Sequence, residues 1–206
     1  MTYRSSDAKL LNSIIKHRRD VRGNRFLDKK ISKKKIKKIL KAGLHAPSVG
    51  YSQPWKFVII KSKRKRKKIY KNFKKEFKKS KKYFKNPLYA KLKLEGILES
   101  PLNIAVFYKK QNKKILGQTS QEKMGEYSVV CAVQNMWLMA RSLNIGIGWV
   151  SILNPKKVKK IVGVSKEYKL VAYLCVGYTD EFLDEPELKK LKWEKKKGLK
   201  KVVEWK

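Results

Sequence analysis

Arg18-Arg19-Asp20-Val21-Arg22 is the stretch on which the reading turns. Three guanidiniums and one carboxylate crowd into five consecutive residues, where an amphipathic helix runs out. Arginines so placed suit a phosphate or the carbonyl oxygens of a ligand, through charge-assisted hydrogen bonds. Asp20, set between them, is expected as the anion, fit to accept a proton or a hydrogen bond from a ligand N–H. Spacing alone equally permits a solvated charge cluster closed on itself by ion pairs.

On the N-terminal side, Leu10, Leu11, Ile14 and Ile15 recur at helical spacing and predict a helix ending between His17 and Asp20. On the C-terminal side, Ser32 reads as the cap of a second helix. Its apolar face is Ile36, Ile39, Leu40 and Leu44, and it must stop before Pro47. The loop Ala46 to Trp55 follows. Pro47 and Pro54 stiffen it, Ser48, Gly50 and Gln53 offer donors that could line a ligand, and Trp55 anchors the next strand. A purely structural turn accounts for it nearly as well. A third candidate, Gly146 to Ser151, has glycines that allow close backbone approach, then Trp149 and Val150, then a hydroxyl at Ser151 at a strand end.

The remaining segments fill in a sandwich. Lys56 to Ile60 reads as a strand. Lys61 to Lys85 holds 15 Lys or Arg in 25 residues, but Ile69, Phe73 and Phe77 recur every four, so it predicts an amphipathic helix with a lysine-covered wet face. Asn86 to Glu99 is polar and helical in pattern and is the candidate lid. Leu102 to Tyr108 predicts a strand, Lys109 to Lys123 a loop, and Val129 to Leu143 a helix buried against the sheet and against a second subunit. Gly146 to Leu153 and Leu170 to Tyr178 suit buried strands. The tail is polar from Glu181 until Val202 and Val203, and reads as an extended arm. Helices at both ends of a set of short buried strands indicate an α+β or α/β sandwich. The expectation is a single domain over residues 1–206 with an arm from about residue 181. Neither G-x-G-x-x-G nor G-x-x-x-x-G-K-[ST] occurs, so no dinucleotide turn and no P-loop is supported.

Composition narrows the function. The 206 residues are 42% hydrophobic, enough for a packed core. The formal charge of +38 invites a nucleic-acid reading, but 46 of the 54 basic residues are lysine and only eight are arginine. Lysine is spread over nearly every wet position, which resembles a general compositional bias more than a recognition patch. Dedicated polyanion binding is therefore the distant alternative. Cys131 and Cys175 each sit in an apolar segment outside any Cys-x-x-Cys pair and are expected to pack as reduced thiols. His17 and His45 have no partner at ligand spacing, so no metal is expected. The absence of a long apolar run and of a signal-like N-terminus makes residence in the cytoplasm, away from membranes, the expectation.

Taken together and in order, Arg18 to Arg22, Pro47-Ser48 with Gln53-Pro54-Trp55, and Gly146 to Trp149 resemble the flavin nitroreductase superfamily. Within it the wording is most similar to the 5,6-dimethylbenzimidazole synthases. These carry Asp in the Arg-Arg-Asp-Val-Arg motif where ordinary nitroreductases usually carry Ser, and Asp20 stands there. Tyr51 stands where many nitroreductases keep Asn. Leu92 to Ile97, Tyr127-Ser128 with Gln134-Asn135, Gly148 to Ser151 and Cys175 to Tyr178 extend the likeness over roughly residues 10–195.

The resemblance implies a nitroreductase-like α+β fold, a mixed central sheet flanked by helices with a C-terminal arm embracing a partner. It implies a homodimer with two FMN sites, each built from both chains. Arg18, Arg19, Arg22, Pro47, Ser48, Gly50, Trp149 and Val150 would hold the flavin, with Asp20 and Ser151 acting at its reactive edge. Reduced FMN would be the substrate, broken down with molecular oxygen (O2) to 5,6-dimethylbenzimidazole, the lower ligand of cobalamin. NAD(P)H or a flavin reductase would supply the reduced flavin. The alternative is an NAD(P)H-dependent nitroreductase or flavin reductase, against which Asp20 and Tyr51 count. The tail departs from the pattern: Trp193 is followed by Glu194 and lysines in place of arginines, which lose bidentate geometry toward a phosphate.

Overall fold

The computed structural model describes residues 2–206. At its centre lies β2 (Leu102–Lys109), buried along its first seven residues. A strand covered on both faces needs apolar side chains in both directions, so it reads as a continuous apolar run. β2 pairs antiparallel with β1 (Trp55–Ile60) on one side and β4 (Tyr168–Gly177) on the other, and β3 (Gly146–Trp149) closes the order β1-β2-β4-β3. All four strands run antiparallel to their neighbours. The parallel component of the expected mixed sheet is confined to one isolated bridge, Asp20 to Ile147.

Alternation along β2 sorts the two cores. Ile104 and Val106 face α2 (Lys33–Leu44) and α5 (Met124–Ser142), packing with Ile39, Val133, Met136 and Ile147. Ala105 and Phe107 face α3 (Lys63–Ser80) and α6 (Pro155–Val162), packing with Ile69, Phe73, Val158 and Tyr173. The caps follow the sequence: the Ser32 and Ser62 hydroxyls accept from Lys35 and Lys65 N–H, each at 3.3 Å. No helix among the described residues is long and apolar enough to cross a membrane.

Several elements differ from the sequence reading. α6 was not anticipated, although Asn154 caps it, Pro155 opens it and left-handed Gly163 ends it. β3 stops at Trp149 because the chain turns toward that helix. Of Asn86 to Glu99 only α4 (Pro87–Lys91) is helical, and the part after it is buried at Glu95, Gly96 and Ile97. The expected lid is therefore fixed over that part. α1 (Ser5–His17) forms as predicted but buries no residue; Leu10 is 63% exposed and Leu11 53%. Cys175 is buried as expected, whereas Cys131 is exposed, because it falls with Tyr127 on the outward stripe of α5. Residues 181–193 fold back on the body instead of extending. Glu181 pairs with Arg25, α7 (Glu187–Lys190) follows, and Trp193 packs at a tilt against Phe84 and Tyr89, with ring centroids at 5.9 and 6.1 Å.

One close approach positions everything that follows. Val21 N–H donates to the Ile147 carbonyl at 3.0 Å, and a Cβ on Gly148 would lie 2.2 Å from the Val21 carbonyl oxygen. Gly148→Ala must push residues 20–22 off β3, and is expected to cost about 2–3 kcal/mol, read as a lower urea midpoint at unchanged slope. A variant as stable as the parent would show that the segment does not need this contact.

Candidate flavin site

The segment after α1 leaves the helix in extended backbone at Arg18 and lies along the free edge of β3. Asp20 is thereby carried to the strand end. Its Oδ1 accepts from Trp149 N–H at 3.0 Å, and its Oδ2 forms a salt bridge with Arg22 Nη2. Burial pushes the carboxyl above its usual range, opposed by Arg22, by the Trp149 N–H and by Arg18, while Glu187 adds to the rise. The strongly favoured anion expected from the sequence is thus corrected: loss of water outweighs the arginines, and Asp20 holds its proton more readily than a free aspartate. Ser151 lies exposed two residues beyond Trp149, and buried Val150 between them is tied by its N–H to the Tyr173 carbonyl at 2.9 Å.

The arginines divide their work. Arg18 lies over the Trp137 ring at 4.8 Å and forms no salt bridge among the described residues, which leaves its charge for a ligand. Arg22 is occupied with Asp20 and, through Nη1, with the Leu94 carbonyl at 3.2 Å. Arg19 lies beside them, its guanidinium engaged by the carbonyls of Lys16, Arg18, Leu183 and Asp184, so that it staples the tail to the segment. Together Arg18, Arg19, Asp20, Arg22 and Arg25, with Phe182, Leu183 and residues 186–188 of the tail, line a cavity of about 180 Å³. That is below the roughly 300 Å³ at which pockets for small organic ligands begin. A larger cleft of about 990 Å³, between Tyr108, Glu126, Asn154 and Tyr168, contains none of the candidate residues.

The loop with Pro47, Ser48 and Gly50 lies elsewhere in the same chain. Val49 N–H donates to Ser128 Oγ at 3.1 Å, near the start of α5, whereas Arg19 accepts through its carbonyl from Trp137 Nε1–H at 3.2 Å. Nine residues of helix separate those two anchor points, roughly 13 Å at 1.5 Å per residue. One chain therefore does not bring Ser48 to Asp20. The loop is strained: Gly50, Tyr51 and Gln53 have φ of 52°, 50° and 44°, and Tyr51 projects outward, 84% exposed. Left-handed backbone at non-glycine residues costs on the order of 1–3 kcal/mol each and gathers where a ligand or partner is met. Among the described residues the buried Ser52 hydroxyl there has no hydrogen-bond partner.

The model of the nitroreductase family matches residues 15–178. The chain belongs to that family. A 5,6-dimethylbenzimidazole synthase of Rhodospirillum rubrum is 36% identical over 192 residues, 91% of this chain and 90% of its relative. A second, from Rhodobacter capsulatus, is 30% identical over 94% of this chain and 95% of the relative. Among solved structures, a BluB-like flavoprotein from Clostridium difficile 630 superposes with a TM-score of 0.72 at 22% identity, covering 95% of this chain and 98% of the other. Like other nitroreductase-family chains, this one is an α+β protein with its sheet between helical layers.

Three contributors were not legible in the sequence. Trp137 under Arg18 stood within a helix read only as buried, Glu187 stood in a tail read as an arm, and the Leu94 carbonyl is backbone. Contacts across more than 70 residues leave no local signal. The raised Asp20 carboxyl yields a sign that can be checked. Its contribution to folding is fully present below the unfolded pKa of about 4 and is lost as pH rises through the higher folded value. Relative to wild type, Asp20→Asn is expected to gain stability as pH rises from about 4 to 7, followed by urea unfolding at each pH. A difference that falls over that range would contradict the assigned shift.

Proposed function

We propose that this chain is a 5,6-dimethylbenzimidazole synthase, acting on reduced FMN and oxygen as a single nitroreductase-like domain with a C-terminal arm. The observation that carries the proposal is Asp20, clamped by Trp149 N–H and Arg22 and keeping an accessible edge beside the unpaired Arg18. The two synthases at 36% and 30% identity support the substrate.

The residues present fit a flavin. Arg18 supplies an uncommitted cation, Trp149 to Ser151 a strand end with a free hydroxyl, and the Ser48 loop strained backbone with an orphaned Ser52 hydroxyl. What one chain lacks is proximity between these halves. A homodimer supplies it, with the Ser48 loop of one copy closing the Asp20 pocket of the other. The exposed Leu10, Leu11 and Ile15 of α1 and Tyr127 and Val130 of α5 provide apolar surface for that contact. Reduced FMN brings the reactivity, its ring system fragmenting with oxygen to the benzimidazole that serves as the lower ligand of cobalamin. Asp20, whose carboxyl retains a proton more readily than usual, holds and moves protons at its accessible edge. Ser151 orients the ring, and Arg18 holds an anionic or carbonyl oxygen. The pocket must shut out water, since uncoupled reoxidation would return FMN intact. NAD(P)H or a flavin reductase is the expected electron source, and the cytoplasm the expected location.

Protein mixed anaerobically with reduced FMN and then exposed to air is expected to lose flavin absorbance and release a benzimidazole; full recovery of FMN would reject the proposal. Asp20→Asn should bind FMN and lose product by about 100-fold or more, within the range for a general acid–base group. The shared site has its own check. Asp20→Asn and Ser48→Trp chains, each inactive alone, should regain activity when assembled into mixed dimers, and continued inactivity would place both residues in one chain's site.

A further inference from the structure

Residues 93–100 form the wall against which the Arg18–Arg22 segment is set. Gly23 N–H donates to the Glu95 carbonyl at 2.8 Å, and Arg22 Nη1 to the Leu94 carbonyl at 3.2 Å. Irregular backbone does not hold two acceptors in place unaided. Here it is bolted from behind by Arg66 of α3, only 9% exposed. Arg66 Nε donates to the Ile97 carbonyl at 2.9 Å, and its Nη2 donates to Leu98 at 2.8 Å and to the Ser100 carbonyl. Glu95, 3% exposed, accepts from Ile97 N–H at 2.7 Å and pairs with Lys93 at 2.6 Å, and Lys93 also reaches Glu99.

Arg66 has no carboxylate partner among the described residues. Burying a cation is costly unless its donors are matched. A guanidinium presents its donors on separate nitrogens in a rigid planar fork, whereas an ammonium of the same charge has its three donors on one nitrogen at the end of a flexible stem. We propose that Arg66 is a positioning residue for Asp20. It fixes residues 97–100, the Ile97 N–H held by Glu95 carries that support back to the Leu94–Glu95 turn, the Leu94 carbonyl then fixes Arg22, and Arg22 orients the Asp20 carboxylate. The groups that face Asp20 are Arg22 and Arg18 from its own segment, the Trp149 N–H from β3 and Glu187 from the tail. Arg66 touches none of the Asp20 atoms, so its influence is geometric.

Arg66→Lys separates geometry from charge, because it keeps the cation and loses the fork. The Asp20 carboxyl is titrated by carbon-13 NMR in flavin-free protein, with Lys68→Met on the outer face of α3 as control. Loosening Arg22 removes part of what stabilises the anion, so the Asp20 midpoint in Arg66→Lys is expected to move up by roughly half a pH unit or more. The control should match wild type. Turnover of reduced FMN should fall about tenfold with little change in KM, and its acid limb should move with the NMR midpoint. A folded Arg66→Lys with the wild-type Asp20 titration overturns the proposal. Should Arg66→Lys fail to fold, Arg66→Gln, which keeps a planar donor without the fork, decides by the same titration, and an unmoved Asp20 midpoint there overturns the proposal equally. The turnover arm rests on the synthase reading and the titration does not. A shifted midpoint in a protein that makes no benzimidazole would therefore reject that reading and leave the Arg66 link standing.

Discussion

A single hydrogen bond, from the backbone N–H of Trp149 to the carboxylate of Asp20, joins the fold to its chemistry. β3 is a four-residue edge strand, and an open strand edge must be covered. Residues 20–22 cover it, with Val21 N–H on the Ile147 carbonyl and no side chain at Gly148 to keep them away. The same contact that seals the sheet leaves a carboxyl at the mouth of a cationic pocket. Burial there raises its proton affinity, and Arg22, the Trp149 N–H and Arg18 oppose the rise.

The charge of the chain takes on a different meaning beside this site. Forty-six lysines coat the surface, but six of the eight arginines, at 18, 19, 22, 25, 66 and 141, gather around the pocket and its supports. Each is used where a planar fork reaches carbonyl oxygens, a carboxylate or an aromatic face. In a chain so rich in lysine, the positions that remain arginine mark where geometry, and not charge alone, is needed.

Much of this was legible in the residues. The apolar runs gave β1, β2 and β4, helical spacing gave α1, α2 and α3, and Ser32 was legible as the cap of α2, because burial and capping are local demands. The motif Arg18 to Arg22 and the strand end at Trp149 were readable as candidates, and the fold brings them together. That Arg19 is engaged by the tail was not legible, because one guanidinium looks like another until its acceptors are known. The lid reading of Asn86 to Glu99 does not hold for its second half, because the polar Glu95 lies in the interior, paired with the partly exposed Lys93. Cys131 and the α1 stripe looked like core because an apolar face left exposed has the same sequence pattern as one buried against the sheet.

The separation of Ser48 from Asp20 along α5 is the most consequential feature of the single chain. A crystal structure of the protein with FMN bound tests the account most directly. It should show the ring between Asp20 and Ser151 of one copy and the Ser48 loop of a second, with the Trp149 to Asp20 hydrogen bond intact. A flavin held wholly within one chain, or bound away from Asp20, would contradict it.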